Sequence, residues 1–312
     1  MDGLLDSSIE FDQLSKSYGA HRVLDDVTVR VRPGTVTGLL GPNGSGKTTA
    51  LRILLGLERP DGGEARVGKR RIRELDAPYR YVGALLDASW VHPQRSARAQ
   101  LNWIAHASGL PVDVVQPSLE EVGLVDVADA KVGTFSLGMR QRLGIASTLL
   151  GDPSILIYDE PLNGLDHDGV EWVRSFFLRQ TERGRTVLLS SHLLSEVELT
   201  AGDVVVIGRG SVLYAGETGA LAEGASAVEF DVDDSAEAAA TVERLADSLG
   251  WRIESRSRRR GGQTYTVSGA SLADVAAALA EVGLAARRIQ DRGSLEDAYA
   301  RLTADRIDFV GH

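Results

Sequence analysis

The stretch GPNGSGKTT, residues 41–49, decides the fold of this chain. It follows the apolar run Val36–Leu40, which predicts a strand, and it opens a helix expected from residue 47 to about residue 55. Glycines let the backbone wrap closely around phosphates, the lysine reaches the β- and γ-phosphates, and the following threonine hydroxyl suits Mg²⁺. The pattern predicts a phosphate-binding loop with contacts from Gly41, Pro42, Asn43, Gly44, Ser45, Gly46, Lys47, Thr48 and Thr49.

Two further strand ends carry polar side chains. SILIYDEP, residues 154–161, ends an apolar strand in Asp159 and Glu160, where carboxylates are costly unless a cation or a reaction uses them. Beside a phosphate loop, we expect Asp159 to orient Mg²⁺ and its waters, and Glu160 to polarise the water that attacks the γ-phosphate. In VLLSSHLL, residues 187–194, His192 follows another strand. It could donate a hydrogen bond to the γ-phosphate or simply be a packed or surface residue.

The segment FSLGMRQRLGIA, residues 135–146, is typical of a helix that begins with an anion site. Ser136 is a good N-cap, and Met139, Leu143, Ala146 and Leu150 form one helical stripe. Free backbone N–H groups and the positive end of the helix dipole would lie around Ser136 and Gly138, which suits phosphate. One chain is therefore predicted to own two phosphate sites.

The organisation of the chain predicts two domains. Residues 8–222 alternate strand-like and helical patterns, which indicates an α/β P-loop core with a largely parallel sheet, and residues 97–150 form a helical insert. The stretch GETGALAEGASA, residues 216–227, is small, polar and without periodicity, so we place the boundary there. Residues 228–304 follow the order β-α-β-β-α-β of a small ferredoxin-like α+β module.

Composition limits the partners and the compartment. The net charge of -10 disfavours nucleic acid as the main partner, because such binding depends on neutralising phosphates. The chain has no cysteine, hence no disulfide framework and no thiolate metal site. No run approaches the roughly 20 apolar residues of a membrane span, and the acidic N-terminus lacks a signal-peptide pattern. We therefore expect the chain to stay in the cytoplasm.

Together these motifs resemble the nucleotide-binding subunit of ATP-binding cassette (ABC) transporters over residues 8 to about 216. The resemblance implies ATP and Mg²⁺ as ligands and an ATPase activity. FSLGM matches the signature motif, usually Leu-Ser-Gly-Gly-Gln, with Leu137 and Met139 departing from it. The resemblance also implies a head-to-tail pair of cassettes, which two copies of this chain could form. In that pair Ser136 and Gly138 hold the phosphate bound to the partner's loop.

The same resemblance assigns further residues. Tyr18 in SKSYG would stack on adenine, Asp166 in PLNGLD would cross the dimer interface, and His192 would contact the γ-phosphate. Asp87 stands where the family usually places a glutamine that touches Mg²⁺ and relays movement to the membrane domain. We interpret Asp87 as a working substitute for that glutamine.

The C-terminal module and GSLEDAYARLT, residues 293–303, resemble the drug-efflux branch that includes daunorubicin- and bacitracin-type resistance transporters. This implies an export motor on the cytoplasmic face of the cell membrane that drives a separate polytopic membrane subunit. We expect residues 87–98 to contact that subunit, with Trp90 as an anchor; core packing of Trp90 is the alternative.

Two other functions stay open at this point. The first is a non-transport ATPase of the same fold that acts on ribosomes or nucleic acid. Such relatives usually carry two cassettes, a zinc motif or a coiled-coil arm, and none of these is present in the sequence. The second is a nucleotide-binding scaffold without turnover, which the intact Lys47, Asp159, Glu160 and His192 disfavour.

Overall fold

The computed structural model describes residues 7–304 apart from 89–90, 225–226, 260–261 and 292. Trp90 therefore lies outside the described residues. The described residues divide between Gly216 and Glu217 into two compact units.

The strands and helices of the first unit follow one another along the chain as β1 (Ile9–Tyr18), β2 (His21–Val31), β3 (Val36–Leu40), α1 (Lys47–Leu54), β4 (Gly62–Val67), β5 (Val82–Leu85), α2 (Ala97–Ala107), α3 (Val115–Glu121), α4 (Leu137–Leu149), β6 (Ile155–Asp159), α5 (His167–Glu182), β7 (Thr186–Ser191), α6 (Leu194–Glu198), β8 (Asp203–Gly208) and β9 (Ser211–Glu217). The second unit continues with α7 (Thr218–Gly224), β10 (Ala227–Val232), α8 (Ala236–Leu249), β11 (Arg252–Arg259), β12 (Gly262–Ser268), α9 (Leu272–Glu281), β13 (Arg288–Asp291) and α10 (Leu295–Ala304).

A six-stranded sheet forms the centre of the first unit, in the order β5-β6-β7-β3-β8-β9. Its four pairs from β5 to β8 are parallel. Strands β3, β7 and β8 are buried along their whole length, which explains their continuous apolar runs. The predicted α/β class with a largely parallel sheet is confirmed. Because β3, β6 and β7 are neighbours, the polar residues that follow them share one edge of the sheet.

Two further layers belong to this unit. Strands β2, β1 and β4 pair antiparallel in that order, and their apolar side chains join one core with β3, α1 and β6. Helices α2, α3 and α4 pack on one another in the region predicted to be helical. In the part of the chain that the structure describes, none of the helices is long and apolar enough to cross a membrane.

The second unit contains a four-stranded antiparallel sheet in the order β11-β12-β10-β13. Val228, Phe230 and Val232 alternate along β10, and they share a buried core with residues of α8 and α9. The elements of this unit from β10 to β13 follow the order β-α-β-β-α-β.

The stretch in which the domain boundary was predicted, residues 216–227, also forms helix α7, with Leu221 and Ala222 buried. Helix α7 packs against α10, and this contact supplies the stabilisation that a helix of only 7 residues lacks by itself.

Candidate active site

The phosphate loop joins β3 to the start of α1. Gly46 has φ +105°, and a Cβ there would lie 2.7 Å from the carbonyl oxygen of Val23, so only glycine fits. The ammonium of Lys47 donates to the carbonyl oxygens of Gly41, at 2.7 Å, and Pro42, at 3.3 Å. The loop therefore folds around the lysine head group.

A buried ammonium group and a buried hydroxyl group lie within the loop. Lys47 is buried, and its Nζ lies 3.9 Å from Glu160 Oε1. Burial lowers the pKa of Lys47, and the nearby carboxylates of Glu160 and Asp159 oppose that shift. The Ser45 hydroxyl is buried and has no hydrogen-bond partner among the described residues. A buried hydroxyl of this kind suits a phosphate oxygen that enters the loop.

Asp159 is held by hydroxyl groups on both sides. Thr48 Oγ1 donates to Asp159 Oδ2 at 2.7 Å, and Ser190 Oγ donates to Asp159 Oδ1. Ser190 is the register partner of Asp159 on the neighbouring parallel strand. Ser190 is not among the residues predicted from the sequence; its position two residues before His192 is the signal that could have indicated it.

Glu160 occupies a sharp turn directly after β6. Its φ is +50°, which is uncommon outside glycine, and its N–H donates to Ser190 Oγ at 2.9 Å and to the Ser190 carbonyl at 3.2 Å. His192 Nδ1 lies 2.7 Å from Glu160 Oε2. The structure therefore brings the two residues into contact, and a carboxylate at this position accepts the Nδ1 proton.

Glu160 and the phosphate loop border an open cleft of about 380 Å³, the phosphate-loop cleft, lined by Tyr18, His21, Val23, Asn43, Gly44, Ser45, Gly46, Lys47, Thr48, Thr49 and Glu160. Asp159 and His192 lie beside it through their contacts with Thr48 and Glu160. Tyr18 is 48% exposed, and Lys16 Nζ lies 5.5 Å from the centroid of its ring. A hydrogen bond to the Glu58 carboxylate raises the pKa of the Tyr18 hydroxyl. His21, which pairs with Tyr18 across the β1–β2 turn, also lines this cleft and is not among the residues predicted from the sequence.

The predicted second phosphate site lies in a different place. Ser136 caps α4, as predicted, and its Oγ accepts the Met139 N–H at 3.2 Å. Asp166 caps α5 and accepts the Gly169 N–H at 2.9 Å. Both helix starts open into a concavity of about 400 Å³, the signature concavity, lined by Ser136, Leu137, Gly138, Met139, Arg142, Gly164, Leu165, Asp166, Asp168 and Gly169.

The two concavities have no lining residue in common. The signature concavity therefore groups Ser136, Gly138 and Asp166, and the phosphate loop of the same chain does not line it. Asp87 is exposed and lies two residues beyond β5, whose Leu85 pairs with Tyr158 on β6. This places Asp87 at the same sheet edge as Asp159, although it lines neither concavity.

The phosphate-loop cleft is suited to Mg²⁺ held mainly by a substrate. Thr48 and Asp159 offer two adjacent hard oxygen donors. Among the described residues, no group of three or more His, Cys, Asp or Glu side chains could hold a metal. Mg²⁺ typically uses one or two protein oxygens together with phosphate and water, so the residues present fit that ion.

A phosphate loop after a central strand, with two acids at the end of a neighbouring strand, defines a P-loop nucleotide hydrolase. A family model described as ABC transporter matches residues 24–163. The chain is 34% identical to the daunorubicin resistance ATP-binding protein DrrA2 of Streptomyces coeruleorubidus, over 99% of this chain and 98% of that protein. The chain belongs to the ABC transporter family.

Two further similarities agree with this assignment. The chain is 32% identical to the bacitracin transport ATP-binding protein BcrA of Enterococcus faecalis, over 96% of this chain and 97% of that protein. A solved ATP-binding subunit of an ABC transporter superposes with a TM-score of 0.62 at 28% identity, over 69% of this chain and 92% of that chain. This protein is accordingly an ATP-binding subunit with ATPase activity, of the kind that dimerises and works with a membrane permease.

Proposed function

We propose that this chain is the motor of an exporter for an antibiotic or a related drug. The observation that carries the proposal is the extent of the similarity: relatives named for bacitracin transport and daunorubicin resistance match over 96% and 99% of the chain. The match therefore includes the second unit as well as the ATP-binding one. The alternative of a ribosome or nucleic-acid ATPase has no comparable support.

In the proposed reaction, each group of the phosphate-loop cleft has one task. Tyr18 presents its half-exposed ring to adenine, and the loop amides and Lys47 hold the β- and γ-phosphates. Glu160 accepts a proton from the attacking water, and His192 fixes the direction of that carboxylate through Nδ1. With Nδ1 engaged, only Nε2 of His192 remains to face the γ-phosphate.

Thr48 and Asp159 would hold Mg²⁺, which would neutralise charge on the phosphates. Ser190 keeps the Asp159 carboxylate in place from the neighbouring strand, and it also accepts the Glu160 N–H. One serine thus positions both acids.

We propose that two copies of the chain pair head to tail. Within a single chain the phosphate loop and the signature concavity share no lining residue. Each chain of the pair would therefore supply one half of each of the two ATP sites. The Ser136 Oγ accepts the Met139 N–H at the start of α4, and its hydroxyl proton can be donated to an anion. A phosphate bound to the partner's loop is the anion that this arrangement fits.

We propose that the membrane partner contacts residues 87–98, which run from beyond the end of β5 into the first turn of α2. This segment connects the edge of the sheet beside Asp159 with the helical region. We place the working protein peripherally on the cytoplasmic face of the membrane, attached through this contact.

Co-purification tests the function directly. An affinity-tagged chain is expected to bring down a polytopic membrane protein from detergent-solubilised membranes. The ATPase of the reconstituted complex is then measured with bacitracin and with daunorubicin as probes, and one of them is expected to stimulate it. Recovery of ribosomes in place of a membrane protein would refute the exporter assignment.

Asp87 gives a separate prediction. Its carboxylate would meet Mg²⁺ through a water, an exposed charge interaction worth about two- to fivefold. Asp87→Ala is therefore expected to raise the Mg²⁺ concentration for half-maximal ATPase by about that factor, whereas Asp87→Gln keeps most of the wild-type response. Exposed Asp113, which lines neither concavity, provides the matched Asp→Ala control. An unchanged Mg²⁺ dependence in Asp87→Ala would make Asp87 a bystander.

A further inference from the structure

A buried pair of hydroxyl groups joins the signature helix to the catalytic strand. Tyr158, the residue before Asp159 on β6, is fully buried, and its hydroxyl lies 3.0 Å from Thr148 Oγ1 on α4. Thr148 Oγ1 donates its single proton to the carbonyl oxygen of Ile145 at 2.7 Å. The Tyr158 hydroxyl is therefore the donor in the pair. Burial raises the pKa of Tyr158, so that proton stays in place at physiological pH.

The backbone of α4 packs closely against the sheet beside this pair. A Cβ at Gly83 on β5 would lie 2.1 Å from the carbonyl oxygen of Thr148, so the helix sits directly on that strand. Strand β5 in turn pairs with β6, with Leu85 opposite Tyr158. The end of the helix that begins at Ser136 and the strand that ends at Asp159 are thus connected by close packing through β5.

Aromatic side chains extend the connection to α5. The Tyr158 and Phe177 rings lie 5.0 Å apart, Phe177 and Phe176 lie 5.8 Å apart, and Phe176 stacks on Trp172 at 5.5 Å. The Arg142 guanidinium on α4 lies 4.4 Å from the centre of the Trp172 ring, so this row of aromatic rings on α5 also contacts α4. Helices α4 and α5, whose starts form the signature concavity, are both tied to Tyr158.

We infer that Tyr158 is a positioning residue that holds Asp159 and Glu160 in register with the signature helix through Thr148, and this depends on the catalytic roles proposed above. A shift of Ser136 when a phosphate enters the signature concavity would reach the two acids through this hydroxyl pair. The chain would thereby adjust its own hydrolytic residues to the nucleotide held by its partner.

Tyr158→Phe tests this inference, because it removes the hydroxyl and keeps the ring. We expect kcat to fall about fivefold, the factor of one ordinary buried hydrogen bond, with KM for ATP changed less than twofold. Thr148→Val should lower kcat similarly, whereas Thr148→Ser, which retains the hydroxyl, should restore it. The double variant Tyr158→Phe/Thr148→Val should lose no more than one single variant, because the two groups act as a unit.

The second unit offers a matched control. Tyr265 is equally buried, packs against Phe230 with ring centroids 5.8 Å apart, and donates to Gln263 at 2.9 Å. Tyr265→Phe should cost similar thermal stability and leave kcat unchanged. If Tyr158→Phe loses stability like this control but keeps wild-type kcat, Tyr158 has only a structural role. If Tyr158→Phe does not fold, kcat of Thr148→Val and Thr148→Ser is compared instead. A wild-type kcat in Thr148→Val would then show that the hydroxyl pair has only a structural role.

Glu160→Gln is measured in parallel to separate the two possible failures. Retained turnover in Glu160→Gln would contradict the proposed role of Glu160 as the general base. Retained kcat in Tyr158→Phe, beside an inactive Glu160→Gln, would overturn the positioning role alone.

Discussion

Glu160→Gln is expected to lower ATP turnover by about 10²- to 10⁴-fold, the usual cost of removing a general base. The amide keeps the shape of the side chain in the turn after β6, but it cannot take a proton from water. ATP binding should persist, because Lys47 and the phosphate loop are untouched. Steady-state phosphate release gives the rate, and titration with ATP gives the affinity.

The same substitution should trap a dimer. If hydrolysis separates two chains that ATP has joined, Glu160→Gln with ATP should run as a stable dimer in size-exclusion chromatography, and removal of ATP should return it to the wild-type elution. Glu182→Gln, an exposed glutamate at the end of α5, is the matched control and should retain wild-type turnover. Wild-type turnover in Glu160→Gln would show that Glu160 is not the base.

Mixing two inactive variants should restore activity if sites are shared. Lys47→Ala disables the phosphate loop, and Ser136→Arg fills the start of α4, so each homodimer should be nearly inactive. A mixed dimer holds one intact site, built from the loop of the Ser136→Arg chain and the signature of the Lys47→Ala chain. With random pairing at equal amounts, we expect about one quarter of the wild-type activity to return.

A chain that carries both substitutions provides the control for this experiment. Mixed with an equal amount of wild type, it should reduce activity to about one quarter in a head-to-tail dimer, since both sites of a mixed dimer are then damaged. Independent sites within each chain would leave about one half. No recovery in the first mixture despite confirmed mixed dimers, together with one half in the second, would exclude shared sites.

Much of the fold and of the candidate site could be predicted from the sequence, because the signals are local. The phosphate loop needs glycines and a lysine at fixed spacing between one strand and one helix, and Ser136 caps α4 through a contact with a residue three positions away. Asp159 and Glu160 lie at the end of an apolar strand, where burying a carboxylate is energetically unfavourable unless a cation or a reaction uses it, so their position alone indicates a functional role. These features depend on neighbours along the chain.

What only the tertiary structure decided is which distant segments meet. His192 contacts Glu160 over 32 positions, and Ser190 binds Asp159 over 31, because β7 lies beside β6 in register. The pairing of Tyr158 with Thr148 and the separation of the two concavities likewise depend on how α4 packs on the sheet. Strand order and helix docking are set by the burial of the whole core, to which many residues contribute and which no local spacing records.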